Sequence, residues 1–463
     1  MEKIAIIKLG ALGDVVRTLP LLKAIKKKYP LSEITWVTKR ESLEIVEKAK
    51  EVDKIKILPC EIKDKFDILY SLDIEEEAIK KANEINAEQK YGFYYDSGYP
   101  AVFNSGAEYY LNTLFDDELK KKNRKTYQEM IFMACELNFD KEHYSLLPDE
   151  SGRKYASKFF KENNLSISET IGIHIGSSSK WPSKKWARER IIEFCEKISK
   201  NGGDVLLFGG AGEKEELDII MDILKSKNIK AVSNNPHNTM EEFISLVNLC
   251  SLIICSDSLS LHISISLMKP TIGLFFCTSP HEIEGYGLLH KEVSEKLEEF
   301  FPERMNEYNE ELVKSISSER VVNSVEKMKK RFVLNAIIKK PNEDKFLLIK
   351  RKKSDKIHSE LWAFPGGRVK DGEKKNEALR REISEETGLK IKNILQKISN
   401  YWYIGGEGAY LYGESYLVDC EDYEFSKGGD IDEIKWVSLE EMESLNHIEG
   451  MSEEAILALD KHN

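Results

Sequence analysis

Nowhere does the sequence hold a run of about 18 or more apolar residues, so nothing in it is built to span a bilayer as a helix. Its start, "MEKIAIIKLG", has a short apolar run that turns at once into a Gly-containing loop, with no small-residue cleavage site. We read it as a first β-strand, not a signal peptide. There is no C-x-x-C pair: the seven cysteines are odd in number and scattered, which argues for reduced thiols in a cytoplasmic setting and against a zinc site. An excess of basic charge is also missing. At a formal net charge of −11 the chain is a poor match for a phosphate backbone, and no nucleic-acid partner is expected. The basic run Lys120 to Lys125 reads as a solvated loop or helix end. Internal repeats, low-complexity tracts and the dinucleotide fingerprint G-x-G-x-x-G are absent too.

What is there is 463 residues, 41% apolar and 32% charged, the composition of a globular protein too long for a single core. From the start, short β-rich runs alternate with amphipathic stretches ("KIAIIKL", "LPLLKAIKKKYP", "EITWVT"), the pattern of a parallel doubly wound sheet; it falters after about Phe93. A second such series opens with "TIGIHIG" and runs to "TIGLFF". Lys291 to Arg331 is highly charged and reads as helical, packing back across both series. From Phe332 the pattern changes to strands around a Pro-Asn turn, a charged helix, more strands and a last helix. We therefore expect domains at 1–165, 166–330 and 331–463.

The last of these carries "GGRVKDGEKKNEALRREISEETGL". On a 3.6-residue helix Glu382, Glu385 and Glu386 share one face, so three like charges meet in a small volume and call for a cation. A hard divalent ion that takes carboxylate and water oxygens and leaves sites for phosphate oxygens suits cleavage of a diphosphate. The stretch, from Gly367 through Glu373, Arg381, Glu382, Glu385, Glu386, Gly388 and Leu389, resembles the signature of the Nudix hydrolases at every specified position. A chance match at such spacing is of order one in a million. The resemblance implies Mg²⁺ or Mn²⁺ as cofactor, Arg381 orienting the carboxylates through Glu373, Gly366 and Gly367 letting a loop lie against the metal, and an extra Glu as base. Glu407, Glu414 and Glu433 are candidates for that base; Trp362 and Tyr401 to Tyr403 are aromatics that either stack on a nucleobase or fill the core.

Further forward, "IIKLGALGDVVRTLP" sets a turn with Gly10 and Gly13 between strand and helix, with Asp14 where the helix opens as a cap or as a functional acid. "GIHIGSSSKWPSKKW" puts Gly176, Ser177 and Lys180 after a strand, a set of donors suited to oxyanions. "VLLFGGAGEKEE" offers a second glycine turn at Gly210, with Glu213 or Glu215 able to take a ribose hydroxyl, and "LIICSDSLSLHIS" sets Asp257 and Ser258 at the mouth of a helix carrying His262, which reads as a packed core residue. Trp181 and Trp186 read as packing.

Together, and in this order, these stretches resemble the heptosyltransferases of glycosyltransferase family 9 over roughly residues 1 to 280. The resemblance implies two facing Rossmann-like domains of the GT-B type ahead of an α/β/α Nudix domain, α/β throughout. It also implies Asp14 as base on the acceptor hydroxyl, Lys180 on the donor diphosphate, Asp257 and Ser258 near sugar and phosphates, the turn at 209–215 near the nucleoside, and no metal in this part. The chain departs from the family pattern at Leu259, where the family has Gly, and at Phe276 and Cys277, where it has Gly-Pro. The expectation is a bifunctional cytoplasmic enzyme that joins sugar transfer from a nucleotide-sugar to a glycan or glycolipid acceptor, with peripheral membrane contact, to metal-dependent hydrolysis of a nucleoside diphosphate derivative. The alternative is a Nudix hydrolase led by a non-catalytic nucleotide-sugar-binding module.

Overall fold

In the computed structural model the chain divides into two compact units, Met1–Val325 and Glu326–Asn463. The structure describes all residues except 168, 179, 329–330, 354–359, 371–372, 405–409, 429–430, 449 and 461–463.

The first unit holds two six-stranded sheets. One is built from β1 (Lys3–Ile7), β2 (Glu33–Thr38), β3 (Lys54–Ile57), β4 (Lys65–Ser71), β5 (Asn86–Asp96) and β6 (Tyr99–Val102), in the order β3-β2-β1-β4-β5-β6. Only β6 runs antiparallel to its neighbour. The other, all parallel, has β7 (Ile171–His174), β8 (Val205–Phe208), β9 (Val232–Ser233), β10 (Leu252–Ser256), β11 (Thr271–Phe275) and β12 (Leu289–Val293), in the order β12-β11-β10-β7-β8-β9. Both have the doubly wound order 3-2-1-4-5-6. Consecutive strands step one way from the first strand and then the other, leaving a crevice beside the carboxyl ends of the first and fourth strands, where such sheets bind ligands. The loops after β1 and β7 open into those crevices.

Strands walled on both faces must be apolar throughout. Ile4, Ala5, Ile6 and Ile7 of β1 are fully buried, as is the run Leu206 to Phe208 of β8. One cluster of buried side chains runs through both sheets, from Ile4, Trp36 and Tyr70 to Phe208, Ile253 and Leu261. Inside it the helix Leu12–Thr18 lies against the helix Leu259–Ser266. A Cβ at Gly13 would stand 2.8 Å from Cδ2 of His262, closer than side chains pack, so this crossing needs glycine.

The reading of Lys291 to Arg331 as helical fails at its start. Lys291 to Val293 belong to β12, paired with β11. The charge there misleads because Glu292, though buried, is satisfied by Ser324, Arg320 and His290. The rest is helical only in short pieces, Leu297–Phe300, Glu310–Lys314 and Ser318–Met328. It does reach both halves of the unit: Lys121 pairs with Glu303, and Trp186 Nε1 donates to the Ile316 carbonyl at 2.9 Å.

The second unit has two smaller sheets. β13 (Arg331–Ile338), β16 (Gly366–Arg368), β17 (Ile391–Ile404) and β18 (Tyr410–Cys420) form one, in the order β16-β13-β18-β17. β14 (Lys345–Arg351), β15 (Trp362–Ala363) and β19 (Ile431–Ser438) form the other. The helix Lys375–Thr387 buries Ala378, Leu379 and Ile383 against Leu334, Ala336 and Ile338 of β13. On the other side, the helix Met451–Asp460 buries Ala455 and Ala458 with Ile337, Phe346 and Leu417. The alternation of β13 feeds both cores. Trp362 is buried in the second core, a packing role.

Candidate active sites

In the second unit the helix Lys375–Thr387 ends on Gly388, left-handed at φ 72°, as a helix C-terminus favours. Its Glu382 and Glu386 face β16. Gly366, at φ 155°, takes a conformation L side chains rarely adopt, and a Cβ there would collide with the Leu334 carbonyl. A Cβ on Gly367 would run into the Glu382 carboxylate. The bare backbone of β16 therefore lies against the helix, and the Gly366 amide donates to Glu386 Oε2 at 2.7 Å.

Arg381 organises the rest. Its Nε and Nη2 grip the two oxygens of Glu373 at 2.8 and 2.9 Å, the bidentate fork that suits a planar guanidinium. Its Nη1 donates to Glu382 at 2.7 Å and Glu385 at 3.1 Å, and Nη2 also reaches the Arg368 carbonyl at 3.1 Å. The hydrogen bonds from Arg381 and from the Lys370 amide hold the Glu373 carboxyl down at about 2. Among the described residues no three acidic, His or Cys side chains already form an ion cage; each of the three helix carboxylates is engaged by Arg381 or the Gly366 amide. Three carboxylates beside a bare glycine backbone are nevertheless the oxygen donors a hard divalent ion takes.

The three candidate bases separate. Glu414 on β18 is buried and bonded by Lys375 (2.8 Å), Lys397 (3.1 Å) and Tyr416 (2.8 Å), a structural arrangement. Glu433 on β19 is exposed and paired with Lys350 at 2.9 Å. Glu407 and the side chains of Tyr401 to Tyr403 lie outside the described residues.

In the first unit the loop after β1 is clamped from β4. Asp73 accepts from the amides of Leu9 (3.1 Å), Gly10 (2.8 Å) and Glu75 (3.2 Å), and Lys8 Nζ lies 3.3 Å away, buried. Burial pushes the Asp73 carboxyl up, but Lys8 and the three amides outweigh it and leave it below the ordinary range. Nothing in the sequence motif pointed to Asp73. The clamp delivers Asp14, one-third exposed, which bonds Arg17 Nη2 at 2.8 Å. The guanidinium of Arg17 stacks 3.7 Å from the centre of the Tyr127 ring, and Tyr127 shares a hydrogen bond with Thr18 at 2.9 Å.

Across the helix crossing, Asp257 lies 3.2 Å from Lys184 Nζ and 3.9 Å from His262 Nε2. Burial raises the Asp257 carboxyl, yet Lys184, His262 and Arg17 hold it at about 2. Burial, then the Arg17 charge, push His262 down to about 4, so its ring is neutral near pH 7. The structure thus brings Gly13, Asp14, Asp257 and His262 together. It also assembles Gly176, Gly210 and Glu213: the Glu213 carboxylate packs on Gly176 and accepts from the Gly210 amide at 3.1 Å. Asn234, which holds the Gly209 amide at 3.0 Å, escaped the sequence reading. Ser177 Oγ and Ser258 Oγ are buried without partners among the described residues. Lys180 does not join this group. It is exposed, its ammonium 5.0 Å from the Trp181 ring, and Lys184 is the lysine that meets Asp257. Two lysines behind a proline look like a solvated turn in sequence, which hides Lys184.

Comparison with known proteins decides what these sites belong to. The model of the NUDIX domain matches residues 330–456. The 8-oxo-dGTP diphosphatase of Buchnera aphidicola is 36% identical over 110 residues, 20% of this chain and 82% of that protein. This chain belongs to the Nudix family. Ahead of its Nudix domain, the model of glycosyltransferase family 9 (heptosyltransferase) matches residues 87–312, and the loop of Gly10 to Asp14 precedes that match. Lipopolysaccharide heptosyltransferase 1 of Campylobacter coli is 26% identical over 300 residues, 60% of this chain and 84% of that one. Among solved structures, the family 9 glycosyl transferase of Veillonella parvula aligns at TM-score 0.56 and 21% identity, covering 70% of this chain and 96% of its own. The E. coli ADP-heptose heptosyltransferase II aligns at TM-score 0.51 and 19% identity, covering 70% and 97%, a likeness of fold. The Nudix protein is therefore a fusion, with a heptosyltransferase-like region in front of a hydrolase domain, both of enzyme families. Among the described residues no helix is long and apolar enough to cross a membrane.

Proposed function

We propose that the first unit transfers a sugar from a nucleotide-sugar to a glycan or glycolipid acceptor, and that the Nudix domain hydrolyses the diphosphate of a nucleoside diphosphate derivative, both in the cytoplasm. The observation that carries this is the meeting of two switch-point crevices at one crossing, with the Asp14–Arg17 pair on one side and the Asp257–Lys184 pair on the other. On this reading the two sheets are Rossmann-like domains of a GT-B transferase, divided near residue 165, and an α/β/α Nudix domain follows from about 331. The first sheet presents the acceptor at the Gly10–Gly13 loop. Asp14 takes the acceptor hydroxyl proton, a contribution worth roughly 10² to 10⁴ in rate. Gly176, Ser177, Gly210, Glu213, Asp257 and Ser258 hold the donor, and the leaving nucleoside diphosphate needs no metal.

In the Nudix domain Glu382, Glu385 and Glu386 would hold Mg²⁺ or Mn²⁺, with Arg381 and Glu373 fixing their orientation. When bound, such an ion polarises phosphate oxygens and activates water. Both halves then act on the same class of substrate at different bonds: the transferase breaks the bond from the anomeric carbon to the phosphate oxygen and releases a nucleoside diphosphate, and the hydrolase cuts between phosphates.

The test is phosphorus NMR on the pure protein with Mg²⁺ and a panel of nucleotide-sugars, ADP- and UDP-linked. Nucleoside monophosphate plus sugar phosphate, lost in Glu386→Gln, is expected if the domains share a donor class. Nucleoside diphosphate, lost in Asp14→Asn, is expected from a live transferase. A panel untouched by the wild-type protein overturns the reading.

A further inference from the structure

Lys184 sits at the end of a single tight turn, Pro182–Lys184, that is fixed from below: Ser183 Oγ donates to the Glu307 carbonyl at 2.8 Å and accepts from the Asn309 amide at 2.9 Å. Only 6% of Lys184 is exposed. Its ammonium lies 4.7 Å from the centre of the Trp181 ring, and Asp257 is its anionic partner among the described residues. An ammonium has three donors, and one carboxylate oxygen at 3.2 Å does not use them. In the loops after the adjacent strands β7 and β10, the second of which carries Asp257, Ser177 and Ser258 hold buried hydroxyls with no partner among the described residues, although Ser258 opens a helix it does not cap. Leaving two buried hydroxyls unsatisfied, and an ammonium with donors to spare, costs stability. It is recovered when something rich in acceptor oxygens arrives.

We propose that Lys184 is the ammonium that takes the donor's diphosphate, and that it does so by exchange, giving up Asp257 as the phosphate oxygens come in. The assignment rests on the reading that the second sheet binds a nucleotide-sugar. A carboxylate and a phosphate are interchangeable partners for a point charge such as an ammonium, and the diphosphate brings more charge and more acceptors. Asp257 is not stranded by the exchange, because the positive charge of Arg17 still stabilises its carboxylate. The released carboxylate is then free to meet the sugar. Lys180, exposed at the rim over the same Trp181 ring, stays with the solvent. Asp257 thereby competes with the ligand for one lysine, so its effect on nucleotide binding has the opposite sign to that of the lysine.

The experiment is titration calorimetry of ADP and AMP into the full chain in metal-free buffer, with thermal melts to show that each variant is folded. Lys184→Gln is expected to weaken ADP about tenfold or more while changing AMP little. Asp257→Asn is expected to bind ADP as tightly as the wild type or more tightly, since its lysine is already free. The double variant Lys184→Gln/Asp257→Asn has no unpaired buried charge, and it is expected to stay as weak as Lys184→Gln. If the double variant regains wild-type affinity, Lys184 only neutralises Asp257 and the assignment is overturned. It is also overturned if Lys180→Gln accounts for the whole loss and Lys184→Gln for none. A wild-type protein that binds none of ADP, UDP or GDP overturns the nucleotide reading itself, and the exchange with it.

Discussion

The two sites of this chain handle charge in different ways. In the Nudix domain the acidic side chains come from one helix, Lys375–Thr387, and the loop before it, and one guanidinium, Arg381, serves three of them. In the transferase-like unit the charges follow four strands, β1, β4, β7 and β10, and each has its own opposite partner: Lys8 with Asp73, Arg17 with Asp14, Lys184 with Asp257. The first arrangement is set by local geometry and is accessible; the side chain of Glu385 is 56% exposed. The second is complete only when both sheets are folded and their helices cross at Gly13, although the Asp14–Arg17 pair is local to one helix. Acid should therefore damage the two sites differently, and single substitutions should spread further in the first unit.

The largest expected effect tests that coupling. Buried beside Arg17, His262 stays unprotonated down to about pH 4, whereas an unfolded histidine takes its proton near 6.5. Between these values the unfolded chain binds more protons, so stability is full above about pH 6.5 and falls as pH drops toward 4, by roughly 3 kcal/mol in all. His262→Gln should flatten the pH dependence of the first unit's melting in that window by close to one proton. An unchanged slope would mean that His262 is not held neutral by the crossing. The Nudix domain's own transition should not respond.

Arg381→Ala tests the other side. Removing the shared guanidinium leaves Glu382 and Glu385 without their common partner and frees Glu373 to swing. Loss of a group that orients metal ligands typically costs 10- to 100-fold in metal affinity or activity. We expect that loss in Mg²⁺ dependence of hydrolysis, with sugar transfer and the melting of the first unit unchanged; Arg381→Lys, which cannot fork to both oxygens of Glu373, should rescue little. Equal loss in both activities would show that the two sites are not independent.

That independence also explains what could be read from sequence. The Nudix site was legible because its residues are contiguous: helix spacing alone puts Glu382, Glu385 and Glu386 on one face, and a glycine pair before them marks a close approach. The doubly wound sheets were legible for the same reason, since strand and helix periods are local. Asp73, Lys184 and Asn234 were not, because each acts on a loop at least 25 residues away in sequence, Asp73 on Gly10 at a separation of 63. Burial of a paired charge leaves no trace in local pattern. β12 was missed on the same ground: Glu292 looks solvated until Ser324 and Arg320 are seen to satisfy it.

The smallest effect is expected at Glu433, and it narrows the search for the hydrolytic base. A base must reach the water it activates and must be free to accept its proton. Glu414 fails the second condition, with two lysines and Tyr416 on its carboxylate, and removing it would leave Lys375 and Lys397 unpaired, so loss of activity there would report damage to the fold. Glu433 is 57% exposed and ion-paired with Lys350 on β14, in the sheet that does not contain β16. Exposed pairs of this kind contribute about 0 to 1 kcal/mol. Glu433→Gln should therefore keep hydrolysis within about twofold of the wild type and leave the Nudix melting temperature nearly unchanged. A large fall in kcat with an intact fold would instead make Glu433 the base, and the catalytic machinery would then extend beyond the single helix and loop that set this site apart from the first.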